Sequence, residues 1–263
     1  MGINAIVAEV IERCIGGLDL RERLAVVGVQ DVEPEVLARR AIQGTPPAPG
    51  VLDRRFFEHL GFRHCDALEV SPSADIHLDL NELLPDDSPL VGAYDCLVDP
   101  GTLEHVFDIK SALFNLASLV RVGGHVLHMN PVQGYCNHGF FNLQPTLFYS
   151  FYEANGFDVC SCSMLEYLDD EQSRARLIPV PEDYNNLKLC TAQDSLIVVL
   201  ARRREPRLPS QLKVPSQAFY RRIWEEKDRR QGGRLPDELY RRIVGQVPGN
   251  ARDHLLESAD YLE

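Results

Sequence analysis

Residues 94–131, YDCLVDPGTLEHVFDIKSALFNLASLVRVGGHVLHMNP, constrain the fold more than any other stretch of the chain. Cys96, Leu97 and Val98 form an apolar run that ends in Asp99, Pro100 and Gly101. At such a junction a parallel strand passes to a helix, and open α/β sheets place their ligands there. Glu104, His105 and Asp108 add polar chemistry to the same edge. Ala112, Leu113, Leu116, Ala117 and Val120 then recur at helical spacing. Gly123 and Gly124 are expected to stop that helix before an apolar strand over residues 125–129. Strand, acidic loop, helix, glycine turn and strand in that order make one half of a nucleotide-type α/β site.

The rest of the chain extends the alternation. Further strands are expected over residues 24–28, 66–70, 75–80, 157–163 and 195–201, which brings the set to seven. Ile3, Ile6, Val7, Val10, Ile11 and Ile15 mark one stripe of an opening amphipathic helix closed by Gly16 and Gly17. Asp53 caps a short helix with Phe56, Phe57 and Leu60, and Pro145 opens another with Leu147, Phe148, Phe151 and Tyr152 on its buried side. The pattern predicts a doubly wound α/β domain with a mixed sheet covered on both faces. Its last two strands follow one another without a helix, which predicts one antiparallel edge strand. Residues 166–194, charged and containing Pro179 and Pro181, read as a long loop of the kind used for lids, substrate contacts or insertions.

Beyond Arg202 the pattern turns to polar helices. Ser216 opens a stretch with Phe219, Tyr220, Ile223 and Trp224, and Pro236 opens one with Leu239, Tyr240, Ile243 and Val244. The chain therefore divides into an N-terminal helix (1–20), a catalytic domain (21–204) and a helical C-terminal extension (205–263). The apolar stripes of the extension need a cover, either the main domain or a second subunit in a homodimer.

With 263 residues, 44% of them apolar, the chain can bury one well-packed α/β core. No run reaches the ~18 apolar residues of a membrane span, and the start lacks the pattern of a signal peptide, so a cytoplasmic protein is expected. The seven cysteines are scattered and mostly sit in apolar segments, as reduced structural thiols do. Residues 1–200 carry 13 basic against 29 acidic side chains, and residues 201–263 carry 14 against 10. So acidic a main domain repels phosphate backbones and disfavours a nucleic-acid substrate. His125 and His128 fall on opposite strand faces, and Cys160 and Cys162 have no matching second pair, so no metal site is expected.

The first strand leads into Gly28-Val29-Gln30-Asp31, a ligand-binding loop with a single glycine. Neither G-x-G-x-x-G nor G-x-x-x-x-G-K-[ST] occurs, which argues against a typical dinucleotide or triphosphate cradle. Glu69 closes the second strand, where an acid can accept hydrogen bonds from two ribose hydroxyls or simply face solvent. It lies 41 residues beyond Gly28 rather than the ~20 of a nicotinamide enzyme.

Four runs carry a resemblance: Asp79-Leu80-Asn81, Gly101-Thr102-Leu103-Glu104-His105, Asn137-His138-Gly139-Phe140, and Tyr152-Glu153-Ala154-Asn155-Gly156-Phe157. They resemble motifs of the class I S-adenosylmethionine-dependent methyltransferases, in which a leucine-glutamate-histidine triplet commonly follows strand four. More narrowly, they look like those of methyltransferases found among bacterial surface-polysaccharide and sugar-modifying genes. The resemblance covers residues 20–200 in element order and implies a Rossmann-like methyltransferase fold with S-adenosylmethionine as cofactor. It implies that Gly28, Gln30, Glu69, Asp79, Leu80 and Asp99 line the cofactor, with Asp79 receiving the adenine amino group and Leu80 packing on the ring.

Methyl transfer is an in-line displacement, so the protein must hold nucleophile and methyl close, aligned and dry. An alcohol must also lose its proton, which makes His138, and then His105, the candidate bases. Glu104 can orient either ring. Asp99-Pro100-Gly101 lacks the second proline and the aromatic ring of the motif that holds amines in some methyltransferases, which favours oxygen as the acceptor atom. Tyr135, Phe140, Phe141, Phe148 and Tyr149 are candidates for the acceptor pocket. The expected activity is transfer to oxygen on a sugar or another small polar acceptor. The rival from another class is a non-catalytic, methyltransferase-like binding or assembly subunit that works through its helical tail.

Overall fold

Leu24 and Val26 pack into one apolar cluster and Ala25 and Val27 into another, the two-residue period of a strand buried on both faces. A computed structural model describes residues 2–19, 21–182, 189, 193–229 and 251–262. In it β1 (Arg23–Val27) lies between β2 (His64–Glu69) and β4 (Tyr94–Asp99), parallel to both. β3 (Ile76–His77) continues the parallel pairing beyond β2, and β5 (Val120–Gln133) continues it beyond β4.

Helices cover both faces. α1 (Ala5–Ile15) is capped by Asn4, whose side chain accepts the Val7 N–H at 2.9 Å, a cap that contributes about 1 kcal/mol. Its Ile6, Val7, Val10, Ile11 and Ile15 share a cluster with Leu24, Val26, Cys96 and Val98, joined by α2 (Pro34–Arg39) and α3 (Arg55–His59). On the opposite face lie α4 (Ile109–Leu119), capped by Asp108, and α5 (Pro145–Ala154), with Pro145 in its first turn. The architecture is Rossmann-like and doubly wound.

The sheet departs from expectation in two ways. Among the described residues it has nine strands, not seven, in the order β3-β2-β1-β4-β5-β8-β6-β7-β9, where β6 is Phe157–Tyr167, β7 Ala175–Pro179, β8 Ser195–Arg203 and β9 Asp260–Leu262. The antiparallel strand that follows β5 is not at the edge. β8 runs antiparallel between β5 and β6, and the continuous apolar run Leu196, Ile197, Val198, Val199 suits a strand covered on both faces. Residues 166–194 are not a plain loop, because β7 pairs antiparallel with β6. The C-terminal segment is not purely helical: after α6 (Ala218–Arg229) and α7 (Ala251–Glu257), β9 pairs antiparallel with β7. The helix expected after Pro236, and Cys190, lie outside the described residues.

Gly123 and Gly124 do not stop α4. The helix ends at Leu119 and β5 begins at Val120, with the glycines inside the strand at a register shift. Arg203 of β8 donates to the carbonyls of Ala117 and Ser118 at 3.3 Å and of Val120 at 2.5 Å, satisfying the helix end without a glycine cap. A Cβ on Gly124 would stand 2.5 Å from the Asp95 carbonyl oxygen, so the glycine serves close strand approach.

Among the described residues no helix is long and apolar enough to cross a membrane, and their six cysteines are free. From β1 the order of strands runs outward to β2 and β3 on one side and to β4 and β5 on the other. This reversal places the loops after β1 and β4 beside each other at the carboxyl ends of the strands.

Candidate functional site

Gly28 leaves β1 with φ +80°, a left-handed conformation natural to glycine, and its N–H donates to the Leu68 carbonyl at 2.8 Å. A Cβ there would stand 2.7 Å from Gln30 Nε2, 2.8 Å from Thr102 Oγ1 and 3.7 Å from Glu69 Oε2. Three side chains, from the loop after β1, the end of β2 and the turn after β4, thus converge on the one position that carries none. Gln30 Nε2 donates to the Val27 carbonyl at 3.1 Å, as does Thr102 Oγ1 at 2.9 Å, tying the first loop to the turn after β4. Gln30 Oε1 is buried with no hydrogen-bond partner among the described residues. Together with Val29, Asp31, Gly101 and His105, these residues line a cavity of about 390 Å³.

Asp99 anchors the floor beside that cavity. It is fully buried, and its Oδ1 accepts the N–H groups of Thr102 at 2.9 Å and Leu103 at 3.3 Å. Its Oδ2 accepts from His128 Nδ1 and from Asn130 Nδ2, both at 2.9 Å. With Nδ1 donating, His128 Nε2 accepts the Tyr152 hydroxyl at 2.6 Å. Burial, and after it the Asp99 charge, keep that phenol protonated by raising it well above the ordinary range.

Asn130 links this anchor to a second buried acid, donating also to Glu104 Oε2 at 3.0 Å. Burial, reinforced by Asp99, raises the Glu104 carboxyl above the usual range. Its other oxygen, Oε1, has no hydrogen-bond partner among the described residues and lies 3.8 Å from His105 Nε2 and 3.9 Å from His138 Nε2. The two imidazoles lie 4.9 Å apart between ring centres, tilted 60° to one another. Burial, then the neighbouring His138, hold His105 below the ordinary imidazole value. His138 rides on a loop whose Phe140 and Phe141 N–H groups donate to the Glu104 carbonyl at 2.8 and 3.3 Å.

Of the residues singled out in the sequence, Gly28, Gln30, Glu69 and His105 line the cavity, and His138 meets His105 at its rim. Asp99 lies beneath and is saturated with donors. Asp79 and Leu80 are not among the lining residues. The Asp79 carboxyl accepts from the N–H and side chain of Asn81, both at 2.9 Å, which hold it below the usual range, while Leu80 is buried in the core cluster that contains α4. Asn130 escaped the sequence reading, and Thr102 and Gly139 stood in it only as members of motif runs. Asn130 carried the clearest signal, a polar residue that ends the apolar run of a central strand.

No protein-family model and no curated protein matches the chain. Among solved structures, it is similar to a methyltransferase dependent on S-adenosylmethionine from Archaeoglobus fulgidus (9% identity, 75% of this chain and 93% of that one, TM-score 0.46). It is similar also to the 1,6-didemethyltoxoflavin-N1-methyltransferase of Burkholderia thailandensis, solved with S-adenosylhomocysteine bound (14% identity, 75% and 76%, TM-score 0.42). A third likeness is to the cyclase SpnF (12% identity, 76% and 80%, TM-score 0.46).

Proposed function

We propose that this protein is an S-adenosylmethionine-dependent methyltransferase that acts on an oxygen of a sugar or a similar small polar acceptor. The observation that carries this reading is the meeting of a cavity lined by Gly28, Gln30 and Glu69 with the His105 and His138 pair at its rim. The bare Gly28 position and the unpartnered Gln30 Oε1 suit a polar ligand that approaches the backbone closely. When bound, the cofactor supplies an electrophilic methyl group.

The chain's own groups do the rest. Glu69, at the end of β2, would accept hydrogen bonds from the ribose hydroxyls. Asp79 and Leu80, after β3 and outside the cavity lining, would hold the base. The histidines come from the turn after β4 and the loop after β5, on the other side of β1, where an acceptor stands. His138 Nε2 takes the acceptor proton, with His105 in reserve, and Asp99 holds the turn that presents His105. Phe107 and Phe140, exposed and 5.5 Å apart edge to face, offer an apolar shelf on the same two segments, suited to the C–H face of a sugar ring.

Incubation with methyl-labelled S-adenosylmethionine and a panel of hydroxylated sugars and sugar nucleotides tests the assignment. Label recovered as an ether, and lost in His138→Ala, is the expected result. Label appearing only on nitrogen acceptors overturns the choice of oxygen.

A further inference from the structure

We propose that Glu104, His105 and His138 form a binding site for one divalent ion of the zinc, iron(II) or cobalt(II) type. Their ligand atoms all lie within 4.8 Å of one another, with Glu104 Oε1 3.8 and 3.9 Å from the two Nε2 atoms. These separations are too long for hydrogen bonds and too short for independence. Ligands bonded at ~2.1 Å to a shared ion stand roughly 3.0–3.4 Å apart, so closing separations of up to 4.8 Å needs about 1–2 Å of movement. The two rings can supply it, since the His105 and His138 side chains are 42% and 32% exposed.

Three features single this cluster out from a chance meeting of side chains. Glu104 Oε1 is fully buried, has no hydrogen-bond partner among the described residues and points at both rings. The other carboxylate oxygen is held by Asn130 Nδ2 at 3.0 Å, the kind of outer bond that orients a metal-bound carboxylate. The two segments are also pinned together by the Phe140 N–H on the Glu104 carbonyl at 2.8 Å, with Gly139 passing so close that a Cβ would stand 2.9 Å from that oxygen. Two imidazoles and one carboxylate on one side of an ion are a donor set for zinc or iron(II) rather than for magnesium or calcium, and they leave positions open.

The site borders the cavity through His105. An ion there would acidify a hydroxyl bound to it. In the loaded protein His105 and His138 would be ligands, and a hydroxyl bound to the ion would pass its proton to solvent water; in the stripped protein His138 would take that proton. Ion binding itself goes beyond the methyl-transfer reading, because it is measured without S-adenosylmethionine.

The test is to strip the full-length protein with a chelator, desalt it, and titrate it with Zn²⁺ by calorimetry and with Co²⁺ by visible absorption. The expected result is one equivalent of either ion, with cobalt bands of a nitrogen- and oxygen-ligated site and no comparable uptake of Mg²⁺. His105→Ala and His138→Ala should each weaken binding at least 10-fold, and the double variant should abolish it. His64→Ala, at an exposed histidine away from the cluster, should change nothing. Thermal melting of each variant separates loss of a ligand from loss of the fold. Uptake that is weak and exceeds one equivalent, or that survives the double substitution in a folded protein, overturns the proposal.

Discussion

The backbone N–H of Phe140 donates to the Glu104 carbonyl oxygen at 2.8 Å, and this bond fixes the loop of His138 against the turn of His105. The loop can approach so closely because Gly139 has no side chain. Gly139→Ala would set a Cβ 2.9 Å from that same oxygen and 3.0 Å from Glu104 Cγ. Overpacking of this kind costs about 1–3 kcal/mol. Gly17→Ala is the control, because nothing stands within 4 Å of the added carbon, and its effect should stay within ~0.5 kcal/mol. Urea unfolding of both variants checks the contrast.

Glu69→Ala should weaken S-adenosylmethionine binding by about 1–3 kcal/mol, the cost of losing hydrogen bonds to a charged group. Glu69 is only partly buried at a strand end, so the melting temperature should hardly move. Gly28→Ala should weaken binding too, but with a loss of stability, because φ +80° is strained for alanine and its Cβ meets Gln30 and Thr102. Unchanged affinity in Glu69→Ala, measured by calorimetry, removes Glu69 from the site.

Asn130→Asp places a third carboxyl between two buried ones. The side-chain nitrogen now bonds Asp99 Oδ2 at 2.9 Å and Glu104 Oε2 at 3.0 Å, and an oxygen there faces two acceptors. The cost should be about 3–5 kcal/mol at neutral pH, the scale of an uncompensated buried charge. Crowding raises the folded-state pKa of the introduced carboxyl above the unfolded value, so the folded variant binds more protons and the penalty grows as pH rises. Denaturant unfolding at pH 8 should show a larger deficit than at pH 5; a deficit independent of pH contradicts the crowding.

Asp95 works in the opposite sense. Burial alone would raise its carboxyl, but the N–H groups of Arg23 and Glu22, each at 2.8 Å, and the Arg121 guanidinium at 2.5 Å outweigh it and hold it below the usual range. A depressed folded-state pKa contributes stability that is present above the unfolded value of ~3.9 and lost as pH falls through the folded one. The stability gap between the native protein and Asp95→Asn should therefore be full at pH 6 and shrink in acid below about pH 4. A gap that widens in acid contradicts the assignment.

Much of the fold was legible in the sequence because strong periodicity belongs to single segments. The stripe of Ile6, Val10 and Ile11 gave α1, the apolar run at residues 24–28 gave β1 to within one residue, and the run at residues 96–98 gave the middle of β4. Sheet order was less legible, since it is set by contacts far apart in the chain. The buried run of β8 carried a signal for an interior strand that its late position masked. β7 and β9, short and polar in places, carried none. Gly123 and Gly124 misled because a glycine pair suits both a helix stop and a close strand contact, and only Arg203, 79 residues beyond Gly124, decides between them. Gly28, Gln30, Glu69 and His105 line the cavity because each lies at or after the carboxyl end of a strand, a placement the strand pattern made legible. The closeness of Glu104, His105 and His138 was not legible, because it depends on a loop folding back over a glycine.

Binding of S-adenosylmethionine itself is the most direct test of the central claim. Calorimetric titration of the purified protein should give saturable binding near one equivalent, no binding of NADH, and a clear loss of affinity in Glu69→Ala. Absence of any heat or saturation with S-adenosylmethionine, in a protein shown to be folded, would contradict the account.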